Sequence, residues 1–398
     1  MQGTNSAPCF ETLSSAPISV KRIPELDGLR GLAILLVLIW HLGCDANSAA
    51  GHRWLFYLMD AGGLFWSGVD QFFVLSGFLI GGILLDARNS PNYFKAFYAR
   101  RVFRIIPIYA VVVGAFYLCM AAGLPGRMAG GDWLFGPTVP WYAYATFTQN
   151  IGYSLGGPKL ANWLTATWSL AVEEQFYLIL PAVIWFVSER WLPYVLGSAI
   201  LAAPLFRLFL SLNYSYGNIA SFGLMPCRAD ALLLGVTAAL LVRKRSRWES
   251  LKNKRRLLVS VWMALLAGLP FFILFKETDP NTSFWISTVG LSWMAFFYVG
   301  LLLLALIYSG SWLGRILRNS WLKALGTISY GVYLFHWPVL GLTFMIFRHK
   351  RPWAETSAEH GLVLLALALT IAIASLSWTF FEKPILKIGH TVKYGNEE

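Results

Sequence analysis

Three apolar stretches, Leu257–Phe275, Phe284–Tyr308 and Gly361–Phe381, limit the folds open to this chain more than any other feature. Each approaches or exceeds the roughly 18–20 apolar residues that cross a bilayer as a helix. Charged residues make up only 13% of the 398, about half of what a soluble domain carries, so a polar shell around a chain this long cannot be assembled. Soluble cytosolic enzymes, disordered tails and disulfide-stapled secreted domains are thereby excluded. The expectation is an all-α, polytopic bundle of transmembrane helices with the lipid bilayer as its first partner.

A net charge of +12 does not point to nucleic acid here, because in a membrane protein the position of each Lys and Arg carries the information. The four cysteines (Cys9, Cys44, Cys119, Cys227) show no C-x-x-C spacing and the six histidines are scattered, so no metal site and no bound cofactor is expected. Residues 1–23 form a polar tail without the basic-then-apolar pattern of a cleaved signal peptide, and the first apolar segment is expected to stay in the membrane.

Apolar runs between polar breaks predict ten spans, at about 28–44, 65–85, 104–123, 168–188, 191–211, 225–242, 257–275, 285–308, 325–347 and 361–381. The segment Trp141–Leu155 is interrupted by Thr146, Thr148, Gln149, Asn150 and Gly152. It is short for a span and reads as re-entrant or interfacial. With the N-terminus inside, the inner loops receive 23 of the 32 basic residues, from Lys21 and Arg22 to the run Arg243–Arg256, and the outer side holds the acidic pair Glu277 and Asp279. Positive-inside then places both termini in the cytoplasm. No repeat period or matched pair of broken helices is visible, which weakens a secondary-transporter architecture.

Ionisable side chains at membrane depth cost about 2.5–3.5 kcal/mol on insertion scales, so each is a functional candidate. In the first span Arg30 and His41 stand eleven positions apart, on nearly one face and about 16 Å apart along the axis, with Asp27 one turn below. The pair reads either as an anchor plus an interhelical hydrogen bonder or as a site. Asp70 lies in the outer half of the second span. Arg101 and Arg104, at i and i+3, share a helix face and suit either inside anchoring or a phosphate held in bidentate forks. Glu173 and Glu174, expected near the outer face, are hard to explain as packing. Arg228 and Asp230 open the sixth span as a structural ion pair or as part of a site. His336 precedes Pro338, which frees a helix carbonyl, and serves as a core hydrogen bonder or a cavity residue.

Taken in order, these residues resemble the acyltransferase-3 family of polytopic membrane O-acyltransferases. The resemblance covers about residues 24–385. It is carried by Leu26–Gly31 (LDGLRG) followed by His41, Gly68–Phe78 (GVDQFFVLSGF), Arg101–Pro107 (RVFRIIP), Trp168–Tyr177 (WSLAVEEQFY), Arg228–Asp230, Ser329–Pro338 and Phe381–Pro384 (FEKP). It implies a membrane acyltransferase domain over 24–388, a short cytoplasmic tail over 389–398, and residence in the cell membrane. The implied reaction moves an acyl group, commonly acetyl, from acyl-CoA as co-substrate to a hydroxyl of a carbohydrate or other extracytoplasmic acceptor. Some relatives carry a further C-terminal esterase-like domain, which is not expected here because the chain ends soon after the last span.

Joined to the charge pattern, the resemblance implies roles. Arg101, Arg104 and Arg30 would bind the CoA phosphates. His41 would act as general base or as acyl carrier, since a hydroxyl is a poor nucleophile near neutral pH. One of Glu173 and Glu174, with a slight lean to Glu174, would orient the imidazole. His336, Asp70, Arg228 and Asp230 would meet the acceptor. No oxyanion donor is apparent. A transporter or flippase for a glycan or acidic metabolite, or a catalytically silent scaffold, would also place charges at membrane depth. Oligomeric state is not legible.

Overall fold

The computed structural model describes residues 23–45, 62–156, 160–275 and 278–395. The polar tail with Lys21 and Arg22, together with Glu277, lies outside them. Among the described residues ten helices are long and apolar enough to cross a membrane. They are α1 (Pro24–Gly43), α2 (Gly62–Ala87), α3 (Tyr93–Ala121), α4 (Asn162–Phe186), α5 (Leu192–Asn213), α6 (Gly217–Arg243), α7 (Arg255–Leu274), α8 (Ile286–Ile307), α9 (Ser320–Arg348) and α10 (Ser357–Gly389). All regular elements among the described residues are helical, as the bilayer requires, because no water is available there to satisfy an open backbone. The ten spans expected from the sequence are the ten observed.

Residues 141–155 do not form a span. They break into short helices at Trp141–Ala145 and Gln149–Ser154, joined through Phe147 at φ 53°, an uncommon conformation for a residue with a side chain. Two helices also begin well before their expected limits. Tyr93–Ala121 is one continuous helix, so Arg100, Arg101 and Arg104 project from its body instead of marking its mouth. Asn162–Phe186 starts early enough to put Glu173 and Glu174 about midway along the span, not at its outer end.

Small residues set the helix crossings. A Cβ at Gly77 would strike the Leu232 carbonyl, and one at Gly235 the Val74 carbonyl, so α2 and α6 touch backbone to backbone, the close approach that small residues permit in membranes. Gly31 against Leu322 and Gly326 against Asp27 do the same for α1 and α9. The centre of the bundle is therefore α2, α6, α8, α9 and the inner face of α1, and α7 is peripheral. Around it, Leu118, Phe186, Leu274 and Phe380 are 73, 78, 78 and 76% exposed. Apolar surface of that extent is stable only against lipid.

Candidate active site

Site geometry begins with a change of helix type in α1. The α-helix Pro24–Leu38 passes into a π-helical turn over Ile39–Asp45, an arrangement frequent at functional sites. His41 lies within this wider i→i+5 turn, eleven residues beyond Arg30. The two side chains meet different surroundings. Arg30 pairs with Asp27 at 3.0 Å and lines a cavity, whereas His41 turns to α9.

There His41 meets His336. His336 Nε2 lies 3.1 Å from His41 Nδ1, and the rings are stacked with centroids 5.0 Å apart. His336 Nδ1 lies 2.7 Å from the Tyr333 carbonyl. A carbonyl only accepts, so Nδ1 of His336 carries the hydrogen. With both rings neutral, His336 Nε2 then accepts from His41 Nδ1–H, and the free lone pair of the pair falls on His41 Nε2. Trp337 packs on His41 at 4.9 Å. The hydrogen-bond partner of His41 is thus a second histidine, where a carboxylate was expected.

The cavity, about 450 Å³, lies among α1, α2, α3, α4, α9 and the end of α10. Its volume falls within the range of small-molecule sites. Its walls carry four arginines, Arg30, Arg100, Arg101 and Arg104, against one carboxylate, Glu173. Among the described residues no carboxylate forms an ion pair with Arg100, Arg101 or Arg104; aromatic faces hold them instead. Arg101 stands over Tyr177 at 5.8 Å, Arg104 over Trp378 at 5.8 Å and Arg100 over Tyr394 at 4.6 Å. A concave wall with four guanidiniums to one carboxylate attracts a polyanion.

The Ser76 and Tyr177 hydroxyls are hydrogen-bonded to each other in the cavity wall, and Glu173 lines the cavity beside them. Glu174 does not line the cavity, and its Oε1 is buried without a hydrogen-bond partner. Neither glutamate is the hydrogen-bond partner of His41, and of the two Glu173 is the one that lines the cavity. Deeper in, the Ser169 and Tyr333 hydroxyls are 2.7 Å apart and both face the cavity. The Tyr333 ring lies 5.8 Å from that of His336, which connects the inner end of the cavity to the histidine pair. At the opposite end His390 joins the lining. Burial, together with the charges of Arg100, Arg101 and Arg104, holds its imidazole below the usual histidine range.

Asp70, Arg228 and Asp230 stand apart from this chamber. Arg228 Nη2 donates to Asp70 Oδ1 at 2.6 Å, with its guanidinium over Phe73 and Phe222 at 5.3 and 5.2 Å. Asp230 pairs with Arg207 of α5 at 2.9 Å and accepts from Ser292 of α8 at 2.6 Å. None of these groups lines the cavity. Where acceptor contacts were expected, the structure places two buried ion pairs that tie α2, α5, α6 and α8 together. Arg207 went unnoticed in the sequence although a lone arginine inside an apolar helix is itself a signal. Tyr333 and Ser169 carry no such signal, because hydroxyls are common in spans.

The family profile described as an acyltransferase domain matches residues 23–380. Peptidoglycan O-acetyltransferase OatA of Listeria monocytogenes is 31% identical, over 93% of this chain and 57% of its own length. A putative O-acetyltransferase of Staphylococcus aureus strain COL is 29% identical, over 93% of this chain and 58% of its own length. O-acetyltransferase OatA of Staphylococcus aureus strain NCTC 8325 is 27% identical over the same shares. The chain thus spans somewhat more than half the length of these relatives. No solved structure matches it. The profile covers nine of the ten spans whole and most of the tenth, together with the four cavity arginines and the His41–His336 pair, and the chain belongs to the acyltransferase-3 family.

Proposed function

We propose that this chain is a multi-pass O-acetyltransferase of the cell membrane. It takes acetyl from cytoplasmic acetyl-CoA and delivers it to a hydroxyl of an extracytoplasmic carbohydrate, peptidoglycan being the acceptor that a relative's name supplies. The observation that carries this reading is the single chamber that begins at Arg100, Arg101 and Arg104 and ends at Ser169 and Tyr333 beside the two histidines. Positive-inside places its arginine end on the cytoplasmic face. The CoA phosphates bind there, and the pantetheine arm runs inward to bring the thioester to the hydroxyls.

His41 Nε2 removes the acceptor hydroxyl proton as the oxygen attacks the thioester carbonyl carbon. The C–S bond breaks, and the protonated His41 returns the proton to the CoA thiolate. His336, fixed by the Tyr333 carbonyl, holds His41 in the tautomer that leaves Nε2 free. Tyr333, when its hydroxyl accepts from Ser169, has its own hydrogen left to donate to the carbonyl oxygen as it gains charge.

The test is release of CoA thiol by the purified, detergent-solubilised chain given acetyl-CoA, with and without peptidoglycan fragments, in parallel with calorimetric titration of acetyl-CoA. Saturable donor binding and acceptor-stimulated thiol release are expected. A folded protein that binds no acetyl-CoA overturns the reading.

A further inference from the structure

The arginine end of the cavity is lined in part by the chain's own C-terminal segment. Helix α10 stops at Gly389 directly against α3, where a Cβ would come within 2.8 Å of Phe103 Cβ. Residues 390–395 then cross the beginning of α3 and are held at two points. Arg100 Nε donates to the Val392 carbonyl at 2.9 Å, and Asn92 Nδ2 donates to the Gly395 carbonyl at 3.1 Å. Arg100 also lies 4.6 Å over the Tyr394 ring. His390 and Tyr394 face the cavity beside Arg100, Arg101 and Arg104. The mouth thus combines a π-face, an imidazole and three arginines that form no ion pair among the described residues, where the deeper cavity offers hydroxyls, Glu173 and apolar side chains.

Phosphates alone would need only the cations. An aromatic face beside them fits a ligand with a planar base next to its phosphates, because bases stack on aromatic side chains and phosphates take guanidinium forks. We propose that residues 390–395, together with Arg100, form the subsite for the nucleotide end of the acyl donor. The protein then selects free acyl-CoA over an acyl-phosphopantetheine presented without a nucleotide, as on a carrier protein. The inference rests on the donor reading above and adds the recognised group and the segment that recognises it.

The experiment titrates acetyl-CoA and acetyl-4′-phosphopantetheine against the full chain in detergent. Wild type is expected to bind acetyl-CoA more tightly than the truncated donor. Tyr394→Ala should weaken acetyl-CoA about tenfold, the low end of what a stacked base is worth, and change the truncated donor by less than about twofold. Tyr394→Phe keeps the face and should bind as wild type, which separates stacking from general disturbance of the mouth. The proposal is overturned if Tyr394→Ala leaves acetyl-CoA binding unchanged, or if it weakens both donors equally. A wild-type chain that binds neither donor overturns the donor reading itself, and this inference with it.

Discussion

Two groups of arginines lie inside this bundle, and they differ in what faces them. Arg207 and Arg228 each meet an aspartate, at 2.9 and 2.6 Å, and are fully buried. Arg100, Arg101 and Arg104 line a cavity, rest on aromatic rings and have no ion-pair partner among the described residues. A charge at membrane depth must be compensated. Where an aspartate supplies the compensation, the residue ties helices together; where aromatic rings supply it, the guanidinium keeps its hydrogens for an anion. Both groups look alike in sequence, as arginines in apolar helices, and only the facing helix separates them.

The largest effect expected on function is that of His41→Ala. Loss of the base should lower turnover about 10²–10⁴-fold while acetyl-CoA affinity stays within about twofold, because His41 lies outside the arginine chamber. Stopped-assay turnover and donor titration on the same preparation check both halves; near-normal turnover would remove His41 from the chemistry. His336→Ala should follow the same pattern less steeply, since it positions His41.

Next come the paired charges. Asp70→Leu or Arg228→Leu alone leaves its partner buried and unpaired and should destabilise the fold by about 3–5 kcal/mol. The double substitution should recover most of that loss. Thermal or denaturant unfolding in detergent reads the cycle. Additive losses in the double variant would mean that the pair is not a self-contained strut.

The smallest effects concern the glutamates. Glu173→Gln neutralises the one carboxylate that lines the cavity and should cost about tenfold in turnover, the low end for a charge-assisted bond. Glu174→Gln should stay within about twofold because Glu174 does not face the cavity. The opposite ranking would place the reacting groups on the other side of α4.

Much of this architecture was legible because the bilayer imposes a length and a hydropathy on every span. The ten helices follow from apolar runs, and the exclusion of Trp141–Leu155 follows from its polar interruptions together with the loop charges. His41, Glu173, Arg101 and Arg104 stood out as costly residues. Their relations to one another did not. The π-turn at Ile39–Asp45 leaves no trace in composition, and neither does the meeting of His41 with His336 across α1 and α9. The partners of Asp70 and Asp230 depend on how α2, α5 and α6 cross, which glycine contacts such as Gly77 on Leu232 decide only once the helices are packed. The stretch 390–395 reads as a polar tail; its attachment depends on Arg100, nearly three hundred residues away.

The claim that unpaired arginines mark the donor site is tested most directly by titrating acetyl-CoA against wild type, Arg101→Ala and Arg104→Ala, each confirmed folded by its unfolding transition. Each lost charge-assisted bond is worth about 1.5–3 kcal/mol, so the account predicts a dissociation constant raised roughly tenfold to a hundredfold for each variant, with unfolding close to that of wild type. An unchanged dissociation constant in both variants would contradict it.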